Sequence, residues 1–219
     1  MTESEIIIYL AENRNCIQTG TIRSFITLPN LKINSTFELI FKFADNTLSA
    51  NQTSILEAEK NSILMLLPLV GAIGILGNKS SIFVDSGEIA YVFVQKGNKI
   101  QIRNPYENDL INYLEIWVKY DEIKEEKIVL ETLDLEKNKN KLVEISNEKF
   151  HIKVRIGKYG GREEGVLQVK NSAFVFVING VFEVQNRLLE SRTGLSLTNI
   201  SELDFEGLAQ ENIILIISE

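Results

Sequence analysis

Residues 174–184 read FVFVINGVFEV, two runs of aromatic and β-branched residues on either side of Asn179-Gly180. Aromatic and β-branched residues are enriched in strands. Asn-Gly between two such runs is the strongest short-range signal for a hairpin. The stretch therefore predicts two strands joined by a tight turn, and it indicates a β-rich fold.

Short strand patterns extend from this stretch over most of the chain. Lys99–Arg103 and Leu114–Val118 alternate apolar and polar residues, and Ala90–Val94 is apolar throughout. Gly, Asn and Asp residues separate these runs, which is typical of a sandwich or barrel. Helices should be few and short: the best candidate is Asn108–Tyr113, and Ile6–Asn13 fits either a strand or a brief helix.

The two halves of the chain look like degenerate copies of each other. In the first half an apolar run meets Gly71, and a second strand leads to Ser86-Gly87. In the second half an apolar run meets Gly180, and the chain continues to Thr193-Gly194. The repeat predicts two small β-barrels. A stretch rich in Lys and Glu separates them, so we expect a first barrel over 1–119, a charged connector with edge strands over 120–149, and a second barrel over 150–219.

Composition excludes several classes of protein. The 219 residues are 44% hydrophobic and 24% charged, with 23 basic and 30 acidic residues and a net charge of −7. This balance predicts a globular core and disfavours a non-specific binder of nucleic acid or of anionic membranes. A single cysteine cannot form an internal disulfide. The start is acidic and Ile63–Leu76 is too short to cross a bilayer, so we expect a cytoplasmic protein.

Several stretches resemble a known family. Phe174–Glu190, continuing to Arg192–Leu195, resembles the C-terminal cupin domain of pirin-like (quercetinase-like) bicupins, and Gly161–Gly165 fits the same picture. Asn104-Pro105, followed by Leu110–Val118, resembles the strand that closes the first barrel in pirins. The resemblance covers most of residues 60–219. It implies an all-β fold of two tandem cupin-type jelly-roll barrels with few short helices.

The resemblance also implies a metal site in the first barrel, made of three histidines and one glutamate. Counting back from Gly71 places the His-x-His slot on Glu57 and Glu59. Counting back from Asn104-Pro105 places the other two ligands on Gln101 and Arg103. A slip of one residue gives Ile100 and Ile102 instead, and in the second half Leu197 stands where a cupin motif has histidine. Neither register restores a ligand set, so we expect no metal, no cofactor and no catalytic residue.

Glu57, Glu59, Gln101 and Arg103 are the candidate ligand-binding residues at the mouth of the first barrel. Glu57 and Glu59 share one face if their segment is a strand. They could form a carboxylate pocket for a hard cation or an acid/base pair. The alternative is a polar strand edge, with Arg103 lying opposite and neutralising the pair.

Other chemically distinctive residues favour structural roles. His151 is the only histidine, which makes it a poor metal ligand, and Cys16 lacks a nearby base unless His151 supplies one. Gly157–Arg162 lacks the Gly-Lys-Ser/Thr ending of a phosphate loop and is better interpreted as a turn. A last group could form an ion-pair network or line an anion pocket; its members are Arg162, Glu164, Arg187 and Arg192.

These observations favour a pirin-like bicupin without the usual metal site, acting as a non-catalytic small-ligand-binding or protein-interaction and regulatory protein. The alternative is an enzyme, a quercetinase-like cupin dioxygenase or an isomerase, that uses a non-standard carboxylate-rich site. The expected partner is a small molecule or a protein, with a homodimer as one form. We expect neither nucleic acid nor membrane as a partner.

Overall fold

The structure of the protein, a computed structural model, describes residues 5–29, 40–76, 81–146 and 152–218. Within these ranges nearly all regular structure is strand, with one 3₁₀ helix at Ala11–Asn13. No helix in this part of the chain has the length and apolar character needed to cross a membrane. The strands are β1 (Ile6–Tyr9), β2 (Asn15–Gln18), β3 (Ile22–Pro29), β4 (Ile40–Leu48), β5 (Thr53–Glu57), β6 (Ser62–Val70), β7 (Ile73–Leu76), β8 (Ser81–Val84), β9 (Glu88–Val94), β10 (Lys99–Arg103), β11 (Ile111–Lys119), β12 (Lys127–Thr132), β13 (Lys141–Glu144), β14 (Lys153–Gly160), β15 (Glu164–Gln168), β16 (Ser172–Asn179), β17 (Val181–Val184), β18 (Arg187–Glu190), β19 (Gly194–Thr198), β20 (Glu202–Gly207) and β21 (Glu211–Ser218).

The chain divides into two compact units. Asn15–Leu133 forms one unit, called here the first barrel, and Met1–Arg14 together with Asp134–Glu219 forms the other, called the second barrel. This division differs from the boundaries expected from the sequence, 1–119 and 150–219. The start of the chain lies with the second barrel because β1 pairs antiparallel with β19. The expected connector is shared, since β12 pairs with β9 of the first barrel and β13 with β14 of the second.

Each barrel is built from a large and a small sheet. In the first barrel the large sheet has the order β12-β9-β6-β11-β4-β3-β2 and the small sheet β5-β10-β7-β8. In the second barrel the orders are β1-β19-β16-β21-β14-β13 and β15-β20-β17-β18. Strands β4–β11 therefore occupy the same positions as β14–β21, and this confirms both the predicted repeat and the pair of jelly-roll barrels.

Burial follows the position of each strand. The strands β6 and β16 in the middle of the large sheets are buried on both faces over most of their length. Strand β10 in a small sheet alternates strictly between exposed and buried residues. Each barrel has its own apolar core between its two sheets, which includes Leu64, Ile100 and Trp117 in the first and Phe182 and Phe205 in the second.

Three predictions of local structure were wrong. Gly157–Gly160 belong to β14, and only Gly161 and Arg162 form the turn expected over Gly157–Arg162. Residues 108–110 are not helical and Ile111 already begins β11, which pairs with β4 and β6. The chain does turn at Asn179-Gly180, but β16 and β17 do not pair: β16 pairs with β19 and β21, whereas β17 pairs with β18 and β20. The Asn-Gly turn is thus a corner between two sheets. The charged connector does contain edge strands, as expected, and β12 is one of them.

Candidate functional site

The four candidate residues lie on exposed positions. Strands β5 and β10 pair so that Lys99 faces Glu57, Gln101 faces Ile55 and Arg103 faces Thr53. Paired residues of antiparallel strands share one face. All four candidates are exposed, whereas the neighbouring positions, which alternate with them, point into the barrel. The inward residues are Leu56 (8% exposed), Ala58 (1%), Ile100 (3%) and Ile102 (0%).

The positions one residue away from the predicted ones, such as Ile100 and Ile102, are therefore the ones that face the barrel interior. Counting along a sequence gives no control over side-chain direction when a strand contains a bulge, because one extra residue reverses the alternation. Strand β6 contains such an irregularity: Val70 pairs with Asn112 and Pro68 with Tyr113, so Leu69 has no partner on β11. The count back from Gly71 crosses this point.

The structure brings two of the four candidates together. Glu57 and Glu59 line a cavity of about 290 Å³ in the first barrel, and Gln101 and Arg103 are not among its lining residues. The sequence suggested that Arg103 lies opposite the two glutamates and neutralises them. In the structure its Nη2 instead donates to Asn51 Oδ1 at 3.3 Å. The cavity is lined by Ile26, Leu28, Phe41, Lys42, Ile55, Leu56, Glu57, Glu59, Glu115 and Trp117.

A buried carboxylate, Glu115, forms the polar centre of this cavity. Its side chain is 1% exposed. Lys42 Nζ lies 2.6 Å from its Oε1, and Trp117 Nε1 donates to the same oxygen at 2.6 Å. Asn46 Nδ2 donates to Oε2 at 2.8 Å. Three donors, one of them an ammonium group, therefore compensate the desolvated charge of Glu115.

Strand alternation explains how these side chains meet. Glu115 and Trp117 are two residues apart on β11, so both point to the same face. Trp117 pairs with Lys42 on β4, and Glu115 pairs with Ala44. Because Ala44 has no polar side chain, the donors reach Glu115 from the diagonal positions Lys42 and Asn46. Such diagonal neighbours lie within reach of long side chains.

Glu115 was not predicted from the sequence, although the sequence contains a signal for it. Leu114–Val118 alternates, so a buried Trp117 implies that Glu115 also points inward. A carboxylate on the inner face of a barrel strand needs donors, and this requirement could have singled it out. Its charge also acts on a neighbour on the same face: burial, and next the negative charge of Glu115, raise the pKa of Tyr113 above its ordinary value.

The remaining sequence candidates lie elsewhere. Cys16 is exposed on β2, the outermost strand of its sheet. His151 lies outside the described residues. In the second barrel Leu197 is fully buried in the apolar core. Arg162 Nη1 lies 3.2 Å from Glu206 Oε1 in an exposed pair, and Arg187 donates to the carbonyl oxygen of Gln185. These contacts each join neighbouring strands or turns.

Comparison with known proteins supports the sequence resemblance. The family model of the quercetinase C-terminal cupin domain matches residues 154–217, within the second barrel. No curated protein shows significant sequence similarity to the chain. Among solved structures, YhhW from Escherichia coli is 13% identical, covers 98% of both chains and superposes with a TM-score of 0.84.

Two further solved structures share the fold over nearly the whole chain. The bacterial pirin YhhW in complex with nickel(II) is 13% identical, with a TM-score of 0.82 over 98% of this chain and 99% of that one. Quercetin 2,3-dioxygenase from Acinetobacter baumannii is 10% identical, with a TM-score of 0.73 over 100% of this chain and 88% of that one. At these identities the matches establish the fold.

Because the structurally similar YhhW is seen in complex with nickel(II), the first barrel was tested for residues that could bind such an ion. The inward residues Leu56, Ala58, Ile100 and Ile102 carry no donor atoms. Glu115 could supply one oxygen, but both of its oxygens already accept hydrogen bonds, Oε1 from Lys42 and Trp117 and Oε2 from Asn46. No three His, Cys, Asp or Glu side chains in the described ranges are grouped to hold a metal. The residues described here do not fit a nickel ion.

The chain has the two-barrel fold seen in bacterial pirins, and residues 154–217 of its second barrel match the family model of the quercetinase C-terminal cupin domain.

Proposed function

We propose that the protein is a non-catalytic small-molecule-binding protein, and that the cavity above Glu115 is its ligand site. The observation that carries the proposal is an open, partly polar cavity of about 290 Å³ in the first barrel. The inward residues of β5 and β10 in this barrel are apolar. Cavities of about 300 Å³ and above, with mostly apolar walls and a few polar groups, are typical ligand sites. A barrel filled with side chains throughout would have offered no such space.

The bonding of Glu115 favours binding over catalysis. A general base must lie within hydrogen-bond reach of the proton it removes. The carboxylate of Glu115 already accepts hydrogen bonds from Lys42, Asn46 and Trp117, which occupy three of its about four lone pairs and fix its position. Glu57 and Glu59 are exposed, so burial does not activate either of them as an acid or a base. Neither arrangement resembles an activated acid/base pair.

The repeat offers a matched pair of variants for the test. Ile55 lies at the middle of β5 and lines the cavity, and Val166 lies at the same place on β15 of the second barrel. They are 61% and 62% exposed, so Trp at either position should not disturb folding. In a fragment screen by ligand-observed NMR, we expect hits for the wild type and Val166→Trp that are lost in Ile55→Trp, where the indole obstructs the cavity. Hits retained by Ile55→Trp would place binding elsewhere.

Elemental analysis tests the non-catalytic part of the proposal. We expect protein purified without chelators to contain iron, nickel and zinc well below one equivalent. A stoichiometric metal in the first barrel would overturn a metal-independent role.

An enzyme with a carboxylate-rich site is the second candidate function. It is favoured by Glu57 and Glu59 lining the same cavity and by the likeness to a quercetin 2,3-dioxygenase fold. If the protein only binds, aerobic quercetin with added Fe(II) or Ni(II) should be consumed no faster than in protein-free controls. Turnover that disappears in the Glu57→Ala/Glu59→Ala variant would support the enzyme instead.

A role through protein contacts rests on other residues. Ile55 and Phe83 in the first barrel are more than half exposed, as are Val166 and Leu188 in the second. Exposed apolar side chains are common at contact surfaces, although single ones are ordinary. Light scattering distinguishes a homodimer from a monomer.

A further inference from the structure

We propose that the ligand of the first-barrel cavity is an organic cation: an ammonium or guanidinium group carried on an apolar body of about one ring. This inference rests on the proposed function, because it names the ligand class of the same site. It follows from three properties of the cavity: its charge, its aromatic walls and its size.

The charge of the cavity is negative. Its lining contains three carboxylates, Glu57, Glu59 and Glu115, and one ammonium group, Lys42. Lys42 lies 2.6 Å from Glu115, so these two charges compensate each other. The two rim carboxylates remain, and a cavity lined by charge of one sign concentrates ligands of the opposite sign.

The rim carboxylates are weakly paired. Glu57 Oε2 lies 3.6 Å from Lys99 Nζ, but both side chains are more than 60% exposed, and such pairs contribute little. Glu59 forms no ion pair with any residue in the described ranges. Both carboxylates are therefore available to an incoming cation, whereas a carboxylate or phenolate ligand would be repelled.

Two aromatic rings line the cavity. Phe41 and Trp117 lie with their centroids 5.9 Å apart and their planes inclined by 44°. Lys60 Nζ lies 5.0 Å from the centroid of Phe41, so a cation of the protein already occupies one face of this ring. Ring faces stabilise ammonium groups through the negative face of their quadrupole. A ligand cation would therefore use the ring of Trp117 or displace Lys60 from Phe41.

The rest of the lining fits a small apolar body. Ile26, Leu28, Ile55 and Leu56 supply aliphatic surface. A volume of about 290 Å³ lies at the small end of the range for ligand sites. The cavity therefore suits a compact amphiphilic cation better than a large flat polyphenol.

Three probes of similar size and different charge test the inference. They are 2-phenylethylamine, 3-phenylpropan-1-ol and 3-phenylpropanoate, measured by isothermal titration at low ionic strength. We expect the amine to bind the wild type more tightly than the alcohol, and the anion not to bind. The variant Glu57→Gln/Glu59→Gln should weaken amine binding by about threefold to tenfold and leave alcohol binding unchanged. The control Glu164→Gln, an exposed position on β15, should bind the amine like the wild type.

The outcomes separate this inference from the proposed function. If the alcohol or the anion binds as tightly as the amine, the cavity is a ligand site and the choice of a cation is overturned. An amine affinity that does not change in Glu57→Gln/Glu59→Gln also overturns it. If none of the three probes binds and the fragment screen gives no hit that Ile55→Trp removes, both proposals fall.

Discussion

The carboxylate of Glu115 is stabilised inside the first barrel mainly by residues distant in sequence, Lys42 and Asn46 on β4. Its strongest partner, Lys42, comes from β4, and the Lys42 side chain is 35% exposed. Removing one member of a buried pair costs about 3–5 kcal/mol because the other charge is left without compensation. Solvent reaches Lys42, so we expect Lys42→Met to lower the free energy of unfolding of the first barrel by about 2 kcal/mol. Urea unfolding followed by the fluorescence of Trp117, the only tryptophan, measures this barrel.

The double variant decides whether the pair acts as a unit. In Lys42→Met/Glu115→Gln no buried charge remains, so its loss of stability should be smaller than the sum of the single losses by at least about 1 kcal/mol. Lys99→Met breaks only the exposed pair with Glu57 and should change stability by less than about 0.5 kcal/mol. Additive single losses would contradict a coupled pair.

At the scale of elements, the corner between β16 and β17 shows how one side chain holds two sheets in register. The buried Asn212 on β21 donates from Nδ2 to Ala209 O at 2.7 Å and Tyr159 O at 3.1 Å. Its Oδ1 accepts from the backbone N–H groups of Val181 and Ala209, both at 3.0 Å. Gly180 reaches this site with φ +81°, and a Cβ there would lie 2.5 Å from Asn212 Oδ1. Asn212 thus supplies the hydrogen bonds that allow the chain to leave the large sheet.

Replacing this asparagine should destabilise the second barrel. Asn212→Ala leaves buried backbone groups at the corner without partners, and each such group costs about 1–3 kcal/mol. We expect a total loss of about 3 kcal/mol, seen as faster native-state hydrogen exchange in β16 and β17. Asn179→Ala changes an exposed asparagine beside the same turn and is the control. Equal exchange in the two variants would show that Asn212 does not hold the corner.

The same corner marks the limit of what local sequence can predict. Alternation and β-rich composition located strands such as β10 and β12 correctly, because the inward and outward sides of a strand leave a period of two in the sequence. Asn179-Gly180 predicts a turn and does make one, but which strands then pair is decided by contacts distant in sequence. Of the four residues predicted from the sequence, only Glu57 and Glu59 line the cavity, and Glu115 was not predicted. The pairing of β11 with β4 brings Lys42 to Glu115, and no local pattern contains that pairing.

At the scale of the whole chain, the order in which the strands are assigned to the two barrels determines which barrel a substitution destabilises. The chain begins in the second barrel with β1, builds the first barrel from β2 to β12, and returns to the second barrel at β13. β1 is fixed to β19 by its backbone pairing, and the ring of Tyr9 also contacts that of Phe174 on β16, 6.1 Å apart at 68°. The second barrel is therefore assembled from both ends of the chain.

Two identical substitutions test this route. Ile6 on β1 is partly buried against the core of the second barrel, and Ile22 on β3 is partly buried against the core of the first. Shortening a partly buried isoleucine to alanine should cost about 1–2 kcal/mol where the side chain packs. We expect Ile6→Ala to speed hydrogen exchange in β16 while leaving the Trp117 unfolding transition unchanged, and Ile22→Ala to do the reverse. If Ile6→Ala instead weakens the barrel that contains Trp117, the start of the chain belongs to the first barrel, as the order of residues alone suggests. The comparison is decisive because the same atoms are removed at both sites and only their place in the fold differs.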